Sequence, residues 1–499
     1  MTTEEALDRL GTLQKKLSAY DHALGLMSYD GVTGAPKGTA ANRAQSMSVL
    51  SEEVYRLKTG PETVELLEYL EENREKLDRK EQRTVFLLRK DIRQIQRIPM
   101  REYVAWQKLL VEADDVWHTA KERSDWPLFR PYLEQIFDTV RRFAGYCAPE
   151  KDPYDYWLNE FEEGIDRRFC DDFFASLRAQ IVPLLDAVRA KPQPDSIVLH
   201  GFFPAAVQKR FSRKLMELIG LDLAHVGLAT TEHPFTISLG SHLDERITTN
   251  FREEDFTFSM FSVIHEGGHA LYDTGSDASL AGTALDCGVS MGLHESQSRF
   301  YENIIGRSRA FCEYIFPAAQ AFYPELSGYT AEDFYRAVNR AEPGCIRLEA
   351  DELTYPLHIM VRYELEKRVM AGELAVAELP EAWKRLYGEY LGVDVPDDRS
   401  GVLQDSHWSG GAIGYFPSYA LGSAYGAQLL RKMRESVDVD ASLRRGDFAP
   451  INAWLRERIW RHGRLYPPAE LFRSAVDEPF DPTAFVDYLK RKFTELYDL

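Results

Sequence analysis

Two imidazoles four residues apart, with a carboxylate beside the first, constrain this chain more than any other feature. The stretch Phe258–Gly275, FSMFSVIHEGGHALYDTG, carries His265, Glu266 and His269 in the order H-E-x-x-H. Residues four apart lie on one face of a helix. Both imidazoles can then reach one metal ion, at about 2.0–2.1 Å each if it is zinc. Glu266 sits beside them and can take a proton from a metal-activated water. The spacing predicts a helix, since Phe258, Phe261, His265, Gly268 and Tyr272 recur on one face. Asp255 or Thr257 could cap its start and Gly275 could close its end. Gly267 and Gly268 each weaken a helix by about 1 kcal/mol relative to Ala. That cost makes sense where something approaches the backbone closely.

Five letters can occur by chance in a chain of 499 residues, so the surroundings must decide. A catalytic zinc takes three protein ligands and keeps one open position. Glu295, 26 residues after His269 in GVSMGLHESQSRFYENII, is the expected third ligand. Leu293, Gln297, Phe300 and Ile304 place it on a second amphipathic helix. The bland alternative is a solvated pair between Glu295 and Arg299.

The charge balance is 60 basic against 79 acidic residues, a formal net charge of −19. That argues against a nucleic-acid partner or an anionic membrane surface. Five scattered cysteines, odd in number and without a C-x-x-C pair, read as reduced thiols in a cytoplasmic protein. The start, MTTEEALDRL, is acidic and lacks the apolar core of a signal peptide. No run of about 18 apolar residues exists to span a bilayer.

Along the chain, residues 3–28 look helical, followed by a Gly- and Pro-rich loop, GVTGAPKGTAAN. Residues 40–225 read as successive amphipathic helices with charged outer faces. Two β-rich runs follow, 233–239 and 246–251, as a single strand pair just ahead of the H-E-x-x-H helix. Such a strand edge could hold an extended peptide, or the pair could be a purely structural hairpin. Beyond residue 296 the chain is helical again. It includes LTYPLHIMVRYELEKRVMAG, and then a Gly- and Tyr-rich segment after residue 401. There Gly410, Gly411 and Gly414 permit unusual backbone angles, and His407, Tyr415 and Tyr419 could project as hydrogen-bond donors.

Six motifs, in order and spread over about 175 residues, now stand together. They are His233-Pro234-Phe235, Asp244 through Thr248 (DERIT), His265 through His269 (HEGGH), His294 through Gln297 (HESQ), Ile346 through Asp351 (IRLEAD) and Gly401 through Trp408 (GVLQDSHW). They resemble the H-P-F, D-x-R-x-T, H-E-x-x-H, H-E-S-x-Q, I-R-x-x-A-D and G-x-x-Q-D-x-H-W patterns of the carboxypeptidase Taq family of metallocarboxypeptidases. The resemblance extends over residues 1–499 as one helical peptidase domain, with the metal and catalytic motifs inside 233–419. It implies a mainly α fold similar to neurolysin, with two lobes flanking a deep active-site channel and a small β-sheet beside the metal. It further implies release of single C-terminal residues from peptides with broad tolerance, zinc as the metal with cobalt as a substitute, and a homodimer.

Within that resemblance, His265, His269 and Glu295 are the expected metal ligands and Glu266 the general base. His407 and Tyr415 are expected to stabilise the carbonyl oxygen, with Tyr419 in reserve. Asp351 and Asp405 are expected to accept from the far sides of the ligand imidazoles. Arg347, then Arg246, are the candidates for the substrate carboxylate, with His233 as a further substrate contact. Arg347 could instead pair with Asp351 or Glu349. Two other readings compete: an oligoendopeptidase of the same fold, and a helical scaffold with a structural metal. The H-E-S-x-Q and I-R-x-x-A-D matches favour the first reading over the second. The intact Glu266 argues against the third, because a closed structural site needs no base.

Overall fold

The chain builds its one sheet immediately ahead of the H-E-x-x-H helix, and everything around that pair is helical. The computed structural model describes residues 1–499. Strand β1 is Val226–Thr230, β2 is Thr236–Ser238 and β3 is Glu245–Thr249. Their order is β1-β3-β2, with β1 parallel and β2 antiparallel to β3. The expected strand pair is therefore present but shorter, at 236–238 and 245–249, and a third strand joins it. The VGLAT run gives no clean alternation, so its strand state comes from pairing. Val226 faces Glu245 and Thr230 faces Thr249 along the β3 ladder.

Helix Phe256–Thr274 carries His265, Glu266 and His269. Its N-cap is Asp255, whose side chain accepts from the Thr257 and Phe258 amides, and Gly275 forms its C-cap. A second helix, Met291–Arg299, is capped by Ser290 and carries Glu295. It continues without a break into a π turn over Phe300–Ile305. Such wide turns are frequent at functional sites, and here the turn changes the helix phase at Glu302.

The Glu295 helix lies between two glycine-faced neighbours. A Cβ added to Gly268 would sit 2.7 Å from the Gln297 carbonyl oxygen and 2.8 Å from Ser298 Cα. A Cβ on Gly422, in helix Pro417–Met433, would sit 2.6 Å from Glu295 Cγ. The close backbone approach expected at Gly267 and Gly268 is thus present at Gly268. Gly268→Ala should drive its new Cβ into the Gln297–Ser298 backbone and cost about 1–3 kcal/mol. The expected result is a clear drop in denaturation midpoint. An unchanged midpoint would mean the two helices can slide apart freely.

The first helix runs Thr3–Thr33, past the expected end at 28, and the chain turns helical again at Ala40. Gly31 is tolerated because it lies in the helix's last turn, while Pro36 marks the real interruption. This helix packs Ala6, Leu10, Leu13 and Leu17 against Leu66, Leu70 and Leu88 in a small cluster of its own. The main core lies elsewhere and includes the residues that surround the H-E-x-x-H helix. No helix of the chain is long and apolar enough to cross a membrane, and all five cysteines are free thiols.

Candidate metal and catalytic centre

His265, His269 and Glu295 converge. One ligand atom from each lies within 4.8 Å of the others. Glu295 Oε2 stands 3.9 Å from His265 Nε2 and 3.6 Å from His269 Nε2. Donors about 2.1 Å from a tetrahedral ion are about 3.4 Å apart, so a small inward shift would close the set. Two imidazoles and one carboxylate suit a divalent metal that keeps an open position.

The far side of each ring is held. His265 Nδ1 lies 2.8 Å from Glu302 Oε2. An ionised carboxylate only accepts, so Nδ1 carries the proton and Nε2 is left free for a metal. His269 Nδ1 lies 2.7 Å from His294 Nδ1, and His294 Nε2 lies 3.1 Å from each oxygen of Asp273. Asp351 and Asp405, the acceptors expected from the sequence, do neither job. The Asp351 carboxylate accepts from the Leu353 and Thr354 amides and the Thr354 hydroxyl, stapling the turn before helix Tyr355–Met370. Asp405 is committed to two arginines, Arg347 Nε at 2.9 Å and Arg362 Nη2 at 2.6 Å.

Glu295 and Arg299 do pair, at 2.7 Å, but in the interior rather than in solvent. Arg299 takes Glu295 Oε1 while Oε2 faces the histidines, and its guanidinium also lies 3.8 Å from Glu302. Burial opposes ionising Glu295, but Arg299 and the two histidines outweigh it and hold its pKa well below the usual carboxylate range. Burial likewise opposes ionising Glu302, yet the His265 bond and Arg299 bring its pKa down to about 2. Burial disfavours charge on His265 as well, but Glu302 and Glu295 push its pKa up to about 9. The same negative surroundings favour a divalent cation in the proton's place.

Glu266 is buried, and its Oε2 accepts from the Thr236 hydroxyl at 2.7 Å. The sheet thus reaches the base directly through β2. His407 Nε2 lies 3.0 Å from the Tyr419 hydroxyl, and its ring centre is 5.5 Å from that of Tyr415. Burial, then the Arg347 charge, push the His407 pKa down to about 3, so the ring is neutral. Its Nδ1 is buried without a protein partner. Burial and the nearby Glu295 charge raise Tyr415 to about 12, so it stays a donor. Gly411 and Gly414 adopt the left-handed backbone expected of such glycines, and Gly410 does not.

Arg347 is buried. It donates through Nε to Asp405 and through Nη1 to Tyr355 at 3.0 Å, and neither bond uses Nη2. It pairs with neither Asp351 nor Glu349 on its own segment. Arg246 pairs with Asp244 at the sheet, and its stem crosses Gly227 of β1. The His233 side chain is 79% exposed and its nearest charged neighbour is Glu232. Neither Arg246 nor His233 is bonded to the three converging residues.

These features have close counterparts. The chain matches the family described as Carboxypeptidase Taq (M32) metallopeptidase over residues 9–493. The chain belongs to this family. It is therefore a metal-dependent carboxypeptidase, and the readings as an endopeptidase or a non-catalytic scaffold give way. It is 41% identical to Carboxypeptidase 1 of Bacillus subtilis (strain 168), over 97% of each chain. It is 37% identical to Thermostable carboxypeptidase 1 of Thermus thermophilus, over the whole of both. Its fold superposes on a crystal structure of the M32 carboxypeptidase from Deinococcus radiodurans R1 with a TM-score of 0.96. That pair is 36% identical, over 99% of this chain and 100% of the other. As a member of this family, the protein acts on peptides and depends on a divalent metal.

Proposed function

We propose that this metallocarboxypeptidase releases single C-terminal residues from peptides with broad tolerance, using zinc, for which cobalt can substitute. His265, His269 and Glu295 would hold the ion. The observation that carries this reading is the convergence of those three donors beside Glu266, with the remote nitrogen of each imidazole already bonded. When bound, the ion would supply Lewis acidity and lower the pKa of its water toward about 7. Glu266 Oε2, oriented by Thr236, takes the proton of the attacking water and passes it to the leaving amine nitrogen. His407 and Tyr415 donate to the carbonyl oxygen as it gains charge, with Tyr419 holding the His407 ring. Incubating a mid-sized peptide, with and without chelator, should give stepwise C-terminal loss by mass spectrometry only without it. Internal fragments would overturn the exopeptidase reading.

Arg347 is the proposed anchor for the substrate carboxylate, with Arg246 next and His233 as a further contact. Two buried arginines share the single Asp405 carboxylate, so the locale carries an excess positive charge. A bidentate guanidinium suits a carboxylate better than an ammonium does. Amidating a peptide's C-terminus should therefore weaken cleavage strongly. Arg347→Ala should slow the free-acid peptide by roughly 10–150-fold in kcat/KM, yet change the already poor rate on the amide far less. Equal slowing of both peptides would make the residue structural.

The same reading includes a two-lobed, neurolysin-like domain over 1–499 with a channel between the lobes. The separate hydrophobic cluster of the N-terminal helices supports it. It also includes a cytoplasmic homodimer, which the free thiols and acidic charge suit without requiring it.

A further inference from the structure

The two ligand imidazoles are fixed by different devices. His265 meets a carboxylate directly, but His269 meets a second imidazole. We propose that Asp273 and His294 are positioning residues that set the tautomer of His269 through a directional proton chain. This rests on the reading of His269 as a metal ligand.

Two nitrogens facing each other at 2.7 Å need one proton between them, and it can belong to either ring. If it belongs to His294, a neutral His269 carries its own proton on Nε2, where a metal cannot bind. If it belongs to His269, Nε2 presents a lone pair toward the site. Asp273 fixes which nitrogen of a singly protonated His294 carries the proton. Its carboxylate has no proton to give, so His294 Nε2, 3.1 Å away, must carry one. With His269 Nε2 given to a metal, His269 keeps its proton on Nδ1 and donates it, so His294 accepts at Nδ1 and is the neutral ring with its one proton facing Asp273. The chain runs His269 Nδ1–H to His294 Nδ1, then His294 Nε2–H to Asp273.

The surroundings hold this chain in register. Asp273 lies one turn past His269 on the same helix and also accepts from the Gly288 amide at 3.0 Å. The His294 ring packs 5.1 Å from the Tyr272 ring. On the other side it lies against Gly288, where a side chain would strike the imidazole. Both neighbours pack against the ring in the orientation that turns Nε2 toward Asp273.

An amide at position 273 separates polarity from shape. Asp273→Asn keeps the size and can still accept from Gly288. Its NH2 can donate to His294 Nε2, which reverses the chain and places a proton on His269 Nε2. The test measures the zinc dissociation constant of the full chain by competition with a chromophoric chelator at fixed pH. Outer partners of metal-bound histidines typically contribute about 10–100-fold in affinity. Asp273→Asn should weaken zinc by that much, and at least as much as Asp273→Ala does. Wild-type affinity in Asp273→Asn, or a clear rescue of Ala by Asn, would overturn the proposal.

A second pair covers the case in which Asp273 variants do not fold. His294→Asn retains an acceptor near the Nδ1 position and His294→Leu does not. Asn binding zinc more tightly than Leu supports the chain, and equal affinities overturn it. His269→Ala keeps this result apart from the ligand assignment. Unchanged affinity in His269→Ala means the ligand reading fails. Loss in His269→Ala with none in Asp273→Asn means the relay alone fails.

Discussion

Glu266→Gln should keep the fold and the metal while lowering kcat by about 10²–10⁴-fold, the usual contribution of general acid–base catalysis. Gln has the length and planarity of Glu and can still meet the Thr236 hydroxyl that holds Oε2 at 2.7 Å. What it lacks is an oxygen able to take and release a proton. The three converging donors are untouched, so metal content by elemental analysis should equal that of the wild type. Turnover within a few-fold of wild type would mean that another group moves the proton. A loss of metal alongside activity would mean that Glu266 also helps to hold the ion.

Chelation should abolish peptide cleavage altogether, and zinc or cobalt should restore it. His265→Ala and Glu295→Ala should each lower metal content, because each removes one of three protein donors. Glu295→Ala has a second consequence. Arg299 would lose its 2.7 Å partner inside the protein and keep only Glu302 nearby, at 3.8 Å. A charge left so poorly paired in the interior is destabilising, so this variant should also melt below His265→Ala. Full metal retention in both variants would sink the ligand assignment.

Much of the centre was legible because helical spacing carries it. His265 and His269 are one turn apart, and Glu295 follows at a length that allows a return helix. One partner was just as readable and was passed over, and another was read in the wrong setting. Asp273, four residues after His269, shares its helix face and was not considered, while Arg299, four after Glu295, was expected to pair with it in solvent but does so in the interior. Glu302 was harder. It serves His265 from beyond a switch to π geometry, which no 3.6-residue periodicity anticipates. Asp405 was assigned wrongly for a different reason. Motif membership placed it near the site, but its partners, Arg347 and Arg362, come from 58 and 43 residues away in sequence. Long-range ion pairs leave no local periodicity. The same holds for β1, whose state depends on a strand that lies beyond the intervening β2.

The glycine contacts on either side of the Glu295 helix bear on what metal binding is asked to contribute to this fold. Gly268 and Gly422 let two neighbours grip that helix by backbone and Cβ rather than by long side chains. Arg299 and Glu302 then set the rims of the seat from the helix itself. The third donor is therefore positioned by contacts that the chain makes with itself. In small zinc-dependent folds, metal affinity is spent on ordering the chain. Here the packing of three helices does that ordering around Glu295, so the affinity for the ion is left for the ion itself.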